Sequence, residues 1–156
     1  MAMAPSLQTY LADRGVTYDL IPHELTTSSQ DTVETSHVPA DRLAKGILVR
    51  DRQGYLLAVL PASRHIQISD IRTDLGDQVG LASEDEVSAV FWDCARGAIP
   101  PFGECYGLEV IVDIHIDQQP ELYCEAGDHM TLVRVSQAEF AKLNRLARHG
   151  AFTMLI

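Results

Sequence analysis

Residues 41–62 read DRLAKGILVRDRQGYLLAVLPA. Two apolar, β-rich runs, residues 47–49 and 55–60, flank a polar turn containing Gly54, which predicts a β-hairpin. Just upstream, residues 39–46 read PADRLAKG, with proline where a helix starts and glycine just past where one ends. That pattern predicts a helical turn running into the hairpin, with Lys45 at the junction. The chain holds only two lysines against ten arginines. In a last helical turn, the Lys45 ammonium would satisfy terminal carbonyls and the helix dipole. Held half-buried between two elements, it would instead be a fixed anchor for a phosphate or a developing oxyanion.

Outward from the hairpin the pattern is mixed. Residues 6–15 predict a short helix capped by Ser6 and closed by Gly15, and residues 16–24 a strand. Residues 25–39, LTTSSQDTVETSHVP, are polar without an apolar period and predict a long functional loop or a short irregular helix. Residues 69–77 predict a helix capped by Ser69. Ser83 and Glu86 have capping-box spacing ahead of Val87, Val90 and Phe91, as do Ser136 and Glu139 ahead of Phe140, Leu143 and Leu146. Residues 108–117, 121–129 and 129–136 predict strands, and the apolar end AFTMLI predicts docking. Strands run consecutively in places, so regular βαβ alternation fails. The fold class is α+β, with a mixed, mainly antiparallel sheet surrounded by short helices.

Composition bounds the function. A chain of 156 residues with 46% hydrophobic residues has the length of one domain, residues 1–156, with a real core. A net charge of −10 argues against a general nucleic-acid coat protein, whose binding runs on phosphate neutralisation. From Glu84 to Asp128 there are eleven acids and one arginine, Arg96; basic residues gather at residues 42–72 and at Lys142, Arg145 and Arg148. Three cysteines, with no recognisable signal peptide and no long apolar run, predict a reducing, cytoplasmic location and no membrane span.

Residues 97–103, GAIPPFG, set two prolines between two glycines. Such a rigid loop could present the amides of Gly97, Ala98, Ile99, Phe102 and Gly103 to a carbonyl oxygen, or simply connect a helix to a strand. Residues 125–129, EAGDH, display Asp128 and His129 beside Gly127. No zinc-ligand spacing occurs, so no metal is expected. There is no G-x-S-x-G elbow, Walker loop or dinucleotide fingerprint.

LAKGILVRDRQGYLLAVLPA, then GAIPPFG, IVDIHI and AGDHMTLVRVSQAEFAKL, resemble in order and spacing the YbaK/prolyl-tRNA-synthetase-associated family of aminoacyl-tRNA editing domains, from about residue 23 to residue 143. The resemblance implies a mixed, partly barrel-like sheet. It implies hydrolysis, in trans, of an amino acid wrongly esterified to tRNA, of the Ala- or Cys-tRNA(Pro) type. It assigns Lys45 to grip the terminal adenosine or its phosphate, and Gly97 and Pro101 to the Gly-x-x-x-Pro loop that holds the aminoacyl carbonyl, with Phe102 and Gly103 in the same loop. Gly127 marks the late turn, and His129, Ile47 and Ile99 line the amino-acid pocket. Thr27 and Ser28 lie in the polar segment over the site. The terminal 2′-hydroxyl of the tRNA assists, so no general base is required. The implied partners are the acceptor end of a mischarged tRNA and an aminoacyl-tRNA synthetase as carrier; no cofactor, DNA or membrane is among them. Gly46 departs from the larger residue that many relatives carry. A second reading keeps the fold without catalysis, as a module binding a nucleotide, a tRNA end or a protein.

Overall fold

The computed structural model describes residues 3–26 and 28–156. Helix α1 (Pro5–Arg14) starts at a proline and is closed by Gly15 in the left-handed conformation, φ 62°. Ser6 does not cap it; its amide donates to Asp93 Oδ2 at 2.9 Å. After β1 (Asp19–Pro22) the polar stretch forms α2 (Ser29–Ser36), capped by the Ser28 hydroxyl, which accepts from the Asp31 amide. The predicted helical turn before the hairpin shrinks to a 3-10 turn (Ala40–Arg42), and β2 (Leu43–Arg50) begins two residues before Lys45. Lys45 and Gly46 are therefore strand residues, and the helix-end reading of this lysine is overturned.

The predicted hairpin forms, with β3 (Tyr55–Pro61) pairing antiparallel to β2 in an unbroken register from Ala44–Pro61 to Arg50–Tyr55. The Asp51 carboxylate accepts from the Gln53 and Gly54 amides and stiffens the turn. Then follow β4 (Arg64–Ile66), α3 (Ile68–Leu75), β5 (Gly80–Leu81) and α4 (Glu84–Val90). Ser69 lies inside α3 rather than capping it. Both halves of the Ser83/Glu86 capping box are made. The predicted strand at residues 108–117 stops halfway. Only β6 (Glu109–Asp113) is extended, and Asp113 then caps α5 (Ile114–Asp117) by accepting from the His115 amide. β7 (Glu121–Glu125) and β8 (Thr131–Ser136) form the second hairpin. α6 (Gln137–Leu143) ends sooner than its pattern predicts, leaving Leu146 exposed. The chain then makes β9 (Arg148–Gly150) and β10 (Thr153–Leu155), the latter paired with β4.

The main sheet runs β1-β8-β7-β2-β3-β6-β9, with β5 also on β2. β2–β7, β3–β6 and β6–β9 are parallel; the other pairs are antiparallel. The path is open and closes no barrel. β3 is central and buried on both faces, which its run LLAVLP anticipates. One face packs Ala44, Leu48, Leu57 and Val59 against Leu7 and Leu11 of α1, Phe91, Phe102 and Phe140. The other packs Val49, Leu56, Ala58 and Leu60 against Ile71 of α3 and Phe152, whose amide donates to Asp113 Oδ1.

Candidate functional site

β2 has β3 along one edge and two different partners along the other. The parallel register with β7 covers Leu43–Tyr123 and Ala44–Cys124, and the antiparallel register with β5 covers Val49–Leu81 and Arg50–Gly80. Between them the edge is open at residues 45–47. In an antiparallel ladder, alternate residues turn their backbone groups to alternate sides. The Leu43 carbonyl accepts from Ala62 on the β3 side, and the Leu48 carbonyl accepts from Ala82 on the open side. The N–H and C=O of Gly46 therefore point into the gap, with no partner among the described residues.

Side chains alternate as well. Gly46 and Leu48 face α1 and the Gly97–Gly103 loop, whereas Lys45 and Ile47 leave β2 on the other face, where Ile47 packs towards Ile71 of α3 and Leu43 towards Val33 of α2. A Cβ on Gly46 would meet Leu57 Cδ1 at 3.0 Å and Ile99 Cδ1 at 3.5 Å, so the loop lies directly on this glycine. A pocket of about 230 Å³ opens here, lined by Gly46, Ile47, Leu48, Gly97 and Ile99 and closed by Leu81, Ala82, Glu84 and Val87. It joins Ile47, Gly97 and Ile99 from three separate stretches of chain. Lys45 does not line it; its side chain leaves β2 on the opposite face, one residue from the opening.

Lys45 is half-buried, and burial lowers its pKa. No ion pair or hydrogen bond engages its ammonium group among the described residues. Within the loop, the Ala98 amide is spent on the Ala95 carbonyl, which removes it from the set of free donors. The amides of exposed Gly97 and of Ile99 have no partner among the described residues. Pro101, Phe102 and Gly103 are buried. Pro101 accepts from Asn144 Nδ2, and Phe102 packs its ring 5.7 Å from that of Phe140. A Cβ on Gly103 would stand 2.5 Å from Val110 Cγ2, so this glycine serves a close approach to β6.

The turn between β7 and β8 grips the start of the same loop. Gly127 has φ 107°, and a Cβ there would meet that of Ala4 at 2.8 Å. Its carbonyl accepts from the Ala95 amide, and His129 Nε2 donates to the Arg96 carbonyl. His129 itself is left-handed, φ 60°, which Asp128 supports by accepting from the Met130 amide and the Thr131 hydroxyl. Ser28 is an exposed cap on α2, and Thr27 lies outside the described residues.

Sequence reasoning missed a buried polar group beside this turn. Glu125, 4% exposed, accepts from the Thr32 hydroxyl at 2.9 Å, and Thr32 is bonded to Thr26 at 2.8 Å. Burial raises the Glu125 pKa; the Thr32 bond and the nearby imidazoles of His129 and His23 oppose the rise. The signal was a lone acid inside an otherwise apolar strand, Leu122 to Ala126. Among the described residues, no three His, Cys, Asp or Glu side chains are grouped to hold a metal, and no helix is long and apolar enough to cross a membrane.

The same architecture occurs in solved structures. A hypothetical protein superposes with TM-score 0.84 at 19% identity, over 96% of this chain and 99% of its own. A proposed trans-editing enzyme for prolyl tRNA synthetase gives TM-score 0.81 at 19% identity, over 98% and 99%. A scaffold protein for presenting linear epitopes gives TM-score 0.81 at 17% identity, over 98% and 97%. At such identities these likenesses concern the fold. No curated protein matches the chain. Residues 23–143, most of the chain, match the aminoacyl-tRNA editing domain; the β2 edge, the Gly97–Gly103 loop and the β7–β8 turn all lie within the match, and the chain belongs to that family.

Proposed function

We propose that this chain is a single, cytoplasmic trans-acting deacylase that hydrolyses the ester of a mischarged tRNA, of the Ala- or Cys-tRNA(Pro) type. The observation that carries this reading is the unpaired, half-buried ammonium of Lys45 one residue from the open edge at Gly46, in a chain of the editing family. An anion is the partner such a group lacks. A phosphate of the terminal adenosine would pair with it and reverse the effect of burial on its pKa.

The reaction needs little machinery. Water attacks the ester carbonyl carbon, the bond to the ribose oxygen breaks, and a proton ends on the departing hydroxyl. Free amino acid and uncharged tRNA result. The ester is already activated, so orientation and oxyanion stabilisation suffice. The Gly97 and Ile99 amides supply donors for the oxyanion, and buried Pro101 keeps the loop in shape. Ile47, Ile99 and the Gly46 floor bound the amino-acid side chain; His129 and Gly127 hold the loop start. Ser28 borders the acceptor end. Net charge −10 makes tRNA binding by the domain alone weak, which suits delivery by a synthetase.

The test is a panel of mischarged tRNAs, including Ala- and Cys-tRNA(Pro), with wild type and Lys45→Ala. Hydrolysis that disappears in a folded variant supports the reading. No hydrolysis of any ester moves the assignment to a non-catalytic module that binds a tRNA end, nucleotide or protein.

A further inference from the structure

Buried side chains with unused hydrogen-bonding atoms flank the loop: Asn144, whose Nδ2 bonds Pro101 while its Oδ1 has no partner among the described residues, and two more at the β7–β8 turn. Glu125 Oε2 and His129 Nδ1 are closed to solvent and have no partner among the described residues. Their hosts are 4% and 6% exposed. Buried polar atoms without partners are uncommon and call for a reason.

The surrounding bonds fix what kind of atom each one is. An ionised Glu125 can only accept, so the 2.9 Å bond takes the Thr32 proton and leaves Thr26 to donate across the 2.8 Å contact; the Ser28 and His129 carbonyls are longer, competing acceptors for these two hydroxyls, at 3.1 and 3.4 Å. The relay Thr26–Thr32–Glu125 holds the carboxylate by one oxygen and leaves the other free. His129 Nε2 faces the Arg96 carbonyl, which only accepts, so Nε2 carries the hydrogen. In the neutral ring Nδ1 is then a lone pair. Both free atoms are acceptors, and one carries charge. Their complement is a compact cation rich in N–H groups. A metal is disfavoured, since no three ligating side chains are grouped. A phosphate or carboxylate would be repelled.

Position names the cation. Glu125 follows Cys124 as Lys45 follows Ala44, immediately past the last register pair of β7 and β2. Both side chains therefore leave the same face of the sheet, with opposite charges, and neither is in an ion pair among the described residues. An aminoacylated adenosine carries a phosphate and, on its amino acid, one ammonium group. We propose that Glu125 and His129 form the subsite that receives the α-ammonium group of the aminoacyl ester, with Thr26 and Thr32 as positioning residues. This rests on the deacylase reading and deepens it: the enzyme selects esters whose α-amine is free. In a dry setting a single charged hydrogen bond discriminates strongly.

The test separates this subsite from that reading. A non-hydrolysable 3′-aminoacylamino-3′-deoxyadenosine 5′-phosphate is titrated calorimetrically in two forms, free amine and N-acetyl, against wild type, Glu125→Gln and Thr32→Val. Wild type is expected to bind the free amine at least about tenfold more tightly, and Glu125→Gln to bring the two within about twofold. Thr32→Val, which only loosens the carboxylate, is expected to fall between, and it carries the test if Glu125→Gln does not fold. Equal binding of both forms by wild type, no binding of the free amine, or a preference kept in both variants overturns the subsite. Deacylation of free and N-acetylated aminoacyl-tRNA is followed in parallel. Absent hydrolysis with an intact binding preference sinks the deacylase reading alone. A turnover loss in Glu125→Gln that is equal for both tRNAs would make Glu125 a proton acceptor and overturn the proposal.

Discussion

Lys45 and Glu125 stand one residue beyond the last paired rung of β2 and β7, Ala44–Cys124, and both remain without an ion pair among the described residues. Opposite charges at adjoining strand ends would ordinarily be drawn together. Neither charge has an opposite charge paired with it among the described residues to offset its burial, which costs stability. For Lys45 the sign is definite. Burial disfavours its charged form, so it detracts from stability while protonated, and the penalty fades as pH rises through its lowered pKa. Lys45→Met removes the penalty and keeps the length. Its melting temperature is expected to rise by about 2 °C at pH 7, while ester hydrolysis falls at least about a hundredfold. Calorimetric melting and a deacylation time course check both arms.

Gly46 is the pocket floor. A methyl group there would press on Leu57 Cδ1 at 3.0 Å and on Ile99 Cδ1 at 3.5 Å, both free ends of flexible side chains. Gly46→Ala is expected to fold, and to reduce kcat/KM for a larger aminoacyl group by about tenfold more than for a smaller one, the worth of about one methylene. Parallel kinetics with Ala- and Cys-tRNA give the ratio; an unchanged ratio would place the amino acid elsewhere.

Gly127→Ala combines a left-handed backbone, φ 107°, with a Cβ contact of 2.8 Å to Ala4. A neighbouring main-chain bond, Ala4 N–H to the Ala126 carbonyl at 2.7 Å, ties α1 to this turn. The substitution is expected to cost about 2–4 kcal/mol and to loosen α1. Urea denaturation gives the first, and amide exchange of α1 the second.

Glu86, on the helix whose Glu84 and Val87 close the pocket, provides an acid-range test. Bonds from the Ser83 amide and the Tyr55 hydroxyl hold its pKa at about 2. A depressed carboxylate stabilises the fold above its unfolded pKa, and that contribution disappears as pH falls towards 2. Glu86→Gln is expected to be less stable than wild type at pH 7, with the difference shrinking steadily below pH ~4.5. Melting curves across that range decide it; a difference independent of pH would assign the effect to packing.

Local signals were reliable where nothing competed with them. The two-run hairpin, the Ser83/Glu86 capping box and the Gly15 terminus all stand as their residues predict. Lys45 was misplaced because Pro39 and Gly46 imitate the two ends of a helix, while β3 and β7 recruit Leu43 and Ala44 into the sheet. Tertiary pairing outweighs a propensity worth a few tenths of a kcal/mol per residue. α6 fell short for a related reason: residues 148–150 are claimed by β6 as a parallel strand, which no local pattern announces. Ile47, Gly97 and Ile99 were individually legible, but their meeting depends on the β2 edge. Glu125 was passed over because an acid in a strand ordinarily faces water; only the packing of Thr26 and Thr32 around it reveals otherwise.

The two-partner edge of β2 has a geometric corollary. The width of the opening is a matter of arithmetic on two registers, one ending at Ala44 and one starting at Val49. Lengthening β5 or β7 by a single rung would narrow the orifice without disturbing the β2–β3 hairpin beneath it. Sliding these two shutters would change the size of the opening while the β2–β3 pairing, which carries the fold, stayed in register.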